Sequence, residues 1–160
     1  MRASGPSGVS HPSNSEAQKA AEAALLEVLA RRLGFAVAGD RIELGDGCHA
    51  NVDGINYDNR FMCEIYSRIG KLQTAQIEKV ASDVLKLGVL ERALGGKWRK
   101  AMCFADESAA QALRNRSWLA KAAKEMGVEV VVANLPAPMR TLVLEAQKRQ
   151  VMVNKVSRDG

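Results

Sequence analysis

Residues 50–66 read Ala50-Asn51-Val52-Asp53-Gly54-Ile55, then Asn56-Tyr57-Asp58-Asn59, then Arg60-Phe61-Met62-Cys63-Glu64-Ile65-Tyr66. Two runs rich in β-branched and aromatic residues flank a polar turn segment, which is the pattern of a hairpin. Side chains alternate along a strand, so Asn51, Asp53 and Ile55 are expected on one face, and Arg60, Met62, Glu64 and Tyr66 on one face of the next strand. If Asp53 pairs opposite Met62 or Glu64, two carboxylates come to the same side of the sheet; a slip of one residue would separate them. Two or three hard oxygens at that spacing suit a Mg²⁺ site completed by water. The plainer reading is an Asp near a turn and a Glu facing solvent, and the hairpin alone favours it.

Working outward, Ser15-Glu16 opens a helix that Gly34 closes, with Ala17, Ala20, Ala21, Ala24, Leu25, Val28 and Leu29 at helical spacing. Phe35–Val37 and Arg41–Leu44 read as short strand pieces broken by Gly39-Asp40. After the hairpin, Ile69–Gly88 has helical periodicity. Ile69, Leu72, Ile77, Val80, Val84 and Leu87 share one face, and Gln73, Gln76 and Asp83 fall inside that apolar stripe. A polar group aimed at a core must find a partner or cost about 1–3 kcal/mol. The stripe therefore predicts either a buried hydrogen-bond network or a site at the sheet. Lys79 lies on the flank of this face, and Lys71 points away from it.

Lys100–Ala105 is an apolar strand, and Asp106-Glu107-Ser108 opens a helix expected to run through Trp118 to Gly127. Val128–Ala133 is a continuous β-branched run, the mark of a buried parallel strand. Met139–Gln150 is a last amphipathic helix, followed by a short basic end. The order predicts one α/β domain with a central mixed sheet and helices on its faces. Its bounds are a disordered leader over residues 1–14, a core over 15–136, and a C-terminal helix and basic tail over 137–160, packed on the same domain.

The chain has 160 residues, 47% hydrophobic and 26% charged, which suits one folded domain and excludes a large multidomain enzyme. The formal net charge of +5 permits a polyanionic partner without demanding one. No apolar run approaches the ~18 residues of a membrane span, and Met1–Ser15 lacks the apolar stretch of a signal peptide. Cys48, Cys63 and Cys103 are odd in number and without CxxC spacing, so a reducing, cytoplasmic setting is expected. Gly95-Gly96 lacks the Gly-Lys-Ser/Thr of a phosphate loop. Lys97, Arg99 and Lys100 surround Trp98 as a cation-and-aromatic cluster, whereas Trp118 beside Leu119 reads as packed.

Val52-Asp53-Gly54, then Phe61–Tyr66 with Glu64, then Gln73 and Gln76, set in this order of elements, resemble the PD-(D/E)xK nuclease superfamily, the restriction-endonuclease-like fold. The resemblance implies an α-β-β-β-α-β-α-β core plus the C-terminal helix. It also implies hydrolysis of phosphodiesters in DNA or RNA, DNA before RNA, with Mg²⁺ or Mn²⁺ held by Asp53, Glu64 and the carbonyl of Ile65. The family's lysine two residues after the acid is here Tyr66, a phenol that is a poor substitute. The resemblance then turns to the following helix for a lysine, Lys79 first and Lys71 second. Gln76 would position water or phosphate, and Arg68, Lys71, Lys97, Arg99 and Lys100 would contact nucleic acid. Glu27 is the weaker candidate for an extra acid on the first helix. Without a lysine in reach, the same fold would be an inactive module that binds nucleic acid or a protein. Work as a homodimer is also implied. A third expectation, independent of the resemblance, is an interaction protein that docks a partner on Met139–Gln150.

Overall fold

The computed structural model describes residues 14–159; the expected leader lies outside them except for Asn14. Helix α1 spans Asn14–Leu33, and Gly34 closes it with φ 83° and an amide bonded to Ala30 O at 2.9 Å. Strands β1 (Ala38–Gly45), β2 (Cys48–Asn56) and β3 (Phe61–Tyr66) follow. After α2 (Thr74–Leu94) come β4 (Arg99–Phe104), α3 (Glu107–Arg114), α4 (Trp118–Glu125), β5 (Val128–Val132) and α5 (Ala137–Val156). The strands lie in sequence order in one mixed sheet, β1–β2–β3 antiparallel and β3–β4–β5 parallel.

The sheet is covered on both faces. Met62, Tyr66, Met102 and Phe104 pack against Val80, Val84, Leu87 and Leu90 of α2 and the alanines of α3. Phe61, Cys63, Ile65 and Cys103 turn the other way, onto Ala21, Leu25 and Leu29 of α1 and Val143 of α5. The period-2 alternation of β3 is thus buried on both sides, which is why all six of its residues are inaccessible.

Several expectations change. Of the two strand pieces expected before the hairpin, Phe35–Val37 lies outside any strand, while the second belongs to β1, which begins at Ala38 and runs on through Gly39-Asp40 opposite a bulge. Helix α2 starts at Thr74 rather than Ile69: Ile69 and Leu72 are buried from the preceding loop, while Ile77 points outward. The single helix expected over Asp106–Gly127 is two, broken at Asn115-Arg116-Ser117, where the Ser117 hydroxyl accepts the Ala120 amide at 3.2 Å as an N-cap. Strand β5 is parallel but stands at the sheet edge, with Val130, Val131 and Val132 only partly buried. Trp118, expected to pack, is 77% exposed. Helix α5 continues past Gln150 to Val156. No helix is long and apolar enough to cross a membrane among the described residues.

Candidate active site

The β-bulge decides where Asp53 points. Ala38 pairs with Ile55 and Asp40 with Val52, so Gly39 alone faces both Asp53 and Gly54. Two residues against one is a bulge, and it turns the strand locally. Val52 and Ile55 consequently enter the same core cluster, although simple alternation would part them. The expected sharing of a face by Asn51, Asp53 and Ile55 fails for this reason.

On the other side, Gly54 pairs with Cys63, which sets Asp53 level with Glu64. The ladder stops there and side chains take over. The Asp53 carboxylate accepts the Ile65 amide at 2.9 Å, and Glu64 Oε1 accepts the Asp53 amide in a long bond of 3.4 Å. The two acids are therefore adjacent, as the hairpin register required.

Glu64 is only 2% exposed. Burial, reinforced by the negative charge of Asp53, raises its pKa to about 8 against the opposing pull of Lys86. Lys86 Nζ stands 2.9 Å from Glu64 and 3.3 Å from Asp83. Burial works against the ammonium, but its bond to Glu64 and the charge of Asp83 prevail and hold the Lys86 pKa above the usual value. Asp83, buried as its place in the apolar stripe predicted, also accepts the Tyr66 hydroxyl at 2.7 Å. That bond and burial push the phenol well above its ordinary range. Lys79 approaches Asp83 at 3.7 Å and lies over the Tyr66 ring, 4.9 Å from its centroid.

A cleft of about 490 Å³ opens at the carboxyl end of β3, between α1, α2 and α5. Glu22, Ile65, Arg68, Gln76 and Lys79 are on its walls. Open α/β sheets place ligands at this end of their strands. Gln147 of α5 grips the entry loop, its amide accepting from Ile69 N–H and donating to Ile69 O, both at 2.9 Å. Arg68 follows β3 on this loop, and its Nε is buried without a hydrogen-bond partner. Gln76 serves in part as a helix cap, its Oε1 accepting the Gln73 amide at 2.6 Å.

The structure places Ile65, Arg68, Gln76 and Lys79 on the cleft walls; Asp53 and Glu64 lie side by side behind them, joined to the cleft through the Ile65 amide, and the rest are dispersed. Lys71 is exposed on the loop before α2. Arg99 is bound by Glu129 through two bonds, and Lys100 is buried on Glu91 at 2.7 Å. Together with Lys97 these stand at the amino ends of the parallel strands, away from the cleft, because Phe61 pairs with Arg99. Glu27 is exposed and paired with Arg31. The acid that α1 supplies is instead Glu22, whose pKa is raised first by burial and further by Asp53.

Two site residues were missed, and both had a signal. Lys79, Asp83 and Lys86 are spaced i, i+4, i+7, so they form one ridge beside the apolar stripe. Glu22 follows Ala21 and precedes Leu25 by three, on the margin of the buried stripe of α1. Four carboxylates (Glu22, Asp53, Glu64 and Asp83) thus meet the ammonium groups of Lys79 and Lys86. Among the described residues no group of three or more His, Cys, Asp or Glu is disposed to hold a metal. Compared with protein-family models, with curated proteins and with solved structures, the chain has no match.

Proposed function

We propose that this chain is a restriction-endonuclease-like domain that hydrolyses phosphodiester bonds with the help of a divalent cation, on DNA before RNA. The observation that carries the reading is the pair of Asp53 and Glu64 held adjacent at a bulge, with Lys86 from α2 on Glu64.

The donor set fits Mg²⁺ or Mn²⁺. Two carboxylates and the Ile65 carbonyl are hard oxygens, and Mg²⁺ is held by one or two carboxylates while water fills the rest. Such a cation, when bound, would acidify a water and neutralise charge on the phosphate.

The protein's own groups divide the remaining work. Lys79, 63% exposed and on the cleft wall, is placed to meet a phosphate oxygen or the attacking water. Lys86 is tied to both Glu64 and Asp83, so it positions Glu64 and balances its charge. Tyr66 stands where the family's lysine is expected and orients Asp83 instead. Arg68 offers an unpaired guanidinium nitrogen at the loop. Gln76 keeps its amide nitrogen as a donor beside them.

The test is cleavage of DNA, with RNA in parallel, in Mg²⁺ or Mn²⁺. Asp53→Ala and Glu64→Ala should each abolish it while circular dichroism shows a folded chain. Lys79→Met should slow it by about 10²–10⁴-fold. Undiminished cleavage by both acid variants would overturn the assignment. A second reading, an inactive module of this fold that binds nucleic acid or a protein, draws on Lys86, whose ammonium already occupies the Glu64 carboxyl group at 2.9 Å. It predicts salt-sensitive binding without cleavage.

A further inference from the structure

We infer that the junction between α3 and α4 is a second binding site, for single-stranded nucleic acid, in which Trp118 stacks on a base and neighbouring cations hold the phosphates. The chain has two tryptophans. Trp98 is buried, and its indole N–H is used on Gly95 O at 3.1 Å. Trp118 opens α4 and is 77% exposed, so nothing in the fold explains its large apolar face. A single exposed apolar side chain needs no explanation by itself; what singles out Trp118 is that it directly follows Ser117, on the wall of a cationic groove, and offers a free ring face there.

What would cover it is set by the charges alongside. The adjoining groove, about 740 Å³, has four cations on its walls, Arg114, Arg116, Lys121 and Lys124, against the single carboxylate Glu129. Glu129 is already taken by Arg99. Arg114 is paired with Glu107 and Lys121 with Glu125, whereas no ion pair within 4.0 Å engages Arg116 or Lys124 among the described residues. The partner must therefore be anionic and must offer an open ring face. A duplex offers the charge but covers its bases, and an acidic peptide has no need of a bare indole. A single strand supplies both, and base–aromatic stacking tolerates any sequence.

The groove is distinct from the proposed catalytic cleft. It touches Val128 at the start of β5, whereas the cleft lies past the end of β3, and these parallel strands run about 20 Å. The inference does not rest on cleavage.

The test titrates a twelve-residue oligothymidylate into the full chain in EDTA, following tryptophan emission. The expected result is quenching of the exposed-indole signal, with affinity that falls as salt rises. Trp118→Ala should remove the quenching and weaken binding about tenfold. Arg116→Glu and Lys124→Glu should each weaken binding and lower the log–log salt slope by at least about 0.7. Unchanged affinity in Trp118→Ala, equal affinity for a blunt duplex, or a Trp118 response to anionic vesicles but not to the oligonucleotide would each overturn the proposal. Binding without cleavage sustains this site and counts against the catalytic reading alone.

Discussion

Glu64 holds its proton up to about pH 8 because burial and Asp53 outweigh Lys86. Its ordinary value is 4.5, so between these two pH values the folded state binds more protons than the unfolded chain. Stability must then fall as pH rises through that window. Lys86, held above its usual pKa, stays charged throughout it. Without divalent cations, the urea midpoint of the natural chain should therefore drop between pH 5 and pH 8, by an amount worth on the order of a few kcal/mol. Glu64→Gln should flatten this dependence; an unchanged slope in that variant would place its origin elsewhere. Tyr66→Phe tests the neighbouring bond. It strips the buried Asp83 of a donor and should cost about 1–3 kcal/mol, read from the same denaturation curves. The acids of this cluster were legible as residue types in a strand pattern. Their protonation was not, since it depends on how much water and which charges surround them.

The element that positions the site is the bulge of β2, and its glycines show how tightly it is built. A Cβ on Gly54 would stand 2.5 Å from Val37 Cγ1 and 2.8 Å from Cys63 Sγ, with Leu26 of α1 at 3.0 Å. These are core side chains with little room to move, so Gly54→Ala should destabilise the fold by about 1–3 kcal/mol, measured by thermal unfolding. On Gly39 a Cβ would meet the carbonyls of Asp53 and Val52 at 3.3 and 3.4 Å. Gly39→Val should therefore disturb Asp53 more than the core, lowering cleavage with a smaller loss of stability. Helix ends follow the same local logic. Ser117 caps α4, and Ser117→Ala should cost about 1 kcal/mol. Periodicity located α1 well but misplaced both ends of α2, which starts at Thr74 rather than Ile69 and runs past Gly88 to Leu94. Ile69 and Leu72 are apolar at helical spacing, yet they are buried from a loop whose backbone Gln147 and Asp106 hold by hydrogen bonds. No local pattern announces a partner 78 residues away.

At the scale of the whole molecule, α5 closes the face that α1 begins. Val143 and Ala146 are buried there, while Val151, Met152, Val153 and Val156 are exposed. Removing residues 151–160 should leave the unfolding midpoint nearly unchanged. Removing everything from Ala137 should open the α1 cluster, free Ile69 from Gln147, and lower the midpoint by several degrees or prevent folding. Charge is distributed over the same scale. Lys97, Arg99 and the α4 cations lie toward the amino ends of the parallel strands, while the cleft at their carboxyl ends carries Glu22 with Arg68 and Lys79 on its walls.

The alternation of helices and strands, the hairpin of residues 50–66 and the buried place of Asp83 followed from the sequence by itself, because each rests on a period or a turn local to the chain; the adjacency of Asp53 with Glu64 was one of two registers the hairpin allowed, and the burial of Glu64 ran against the solvent-facing Glu it favoured. Only the tertiary structure decided that Lys86, rather than the expected Lys79 or Lys71, is the lysine on Glu64, that Glu22 rather than Glu27 is the acid of α1, and that Trp118 faces water. These depend on which margin of a helix meets the sheet and at what height. A rotation of one residue, about 100°, changes the answer without changing the pattern that predicts the helix.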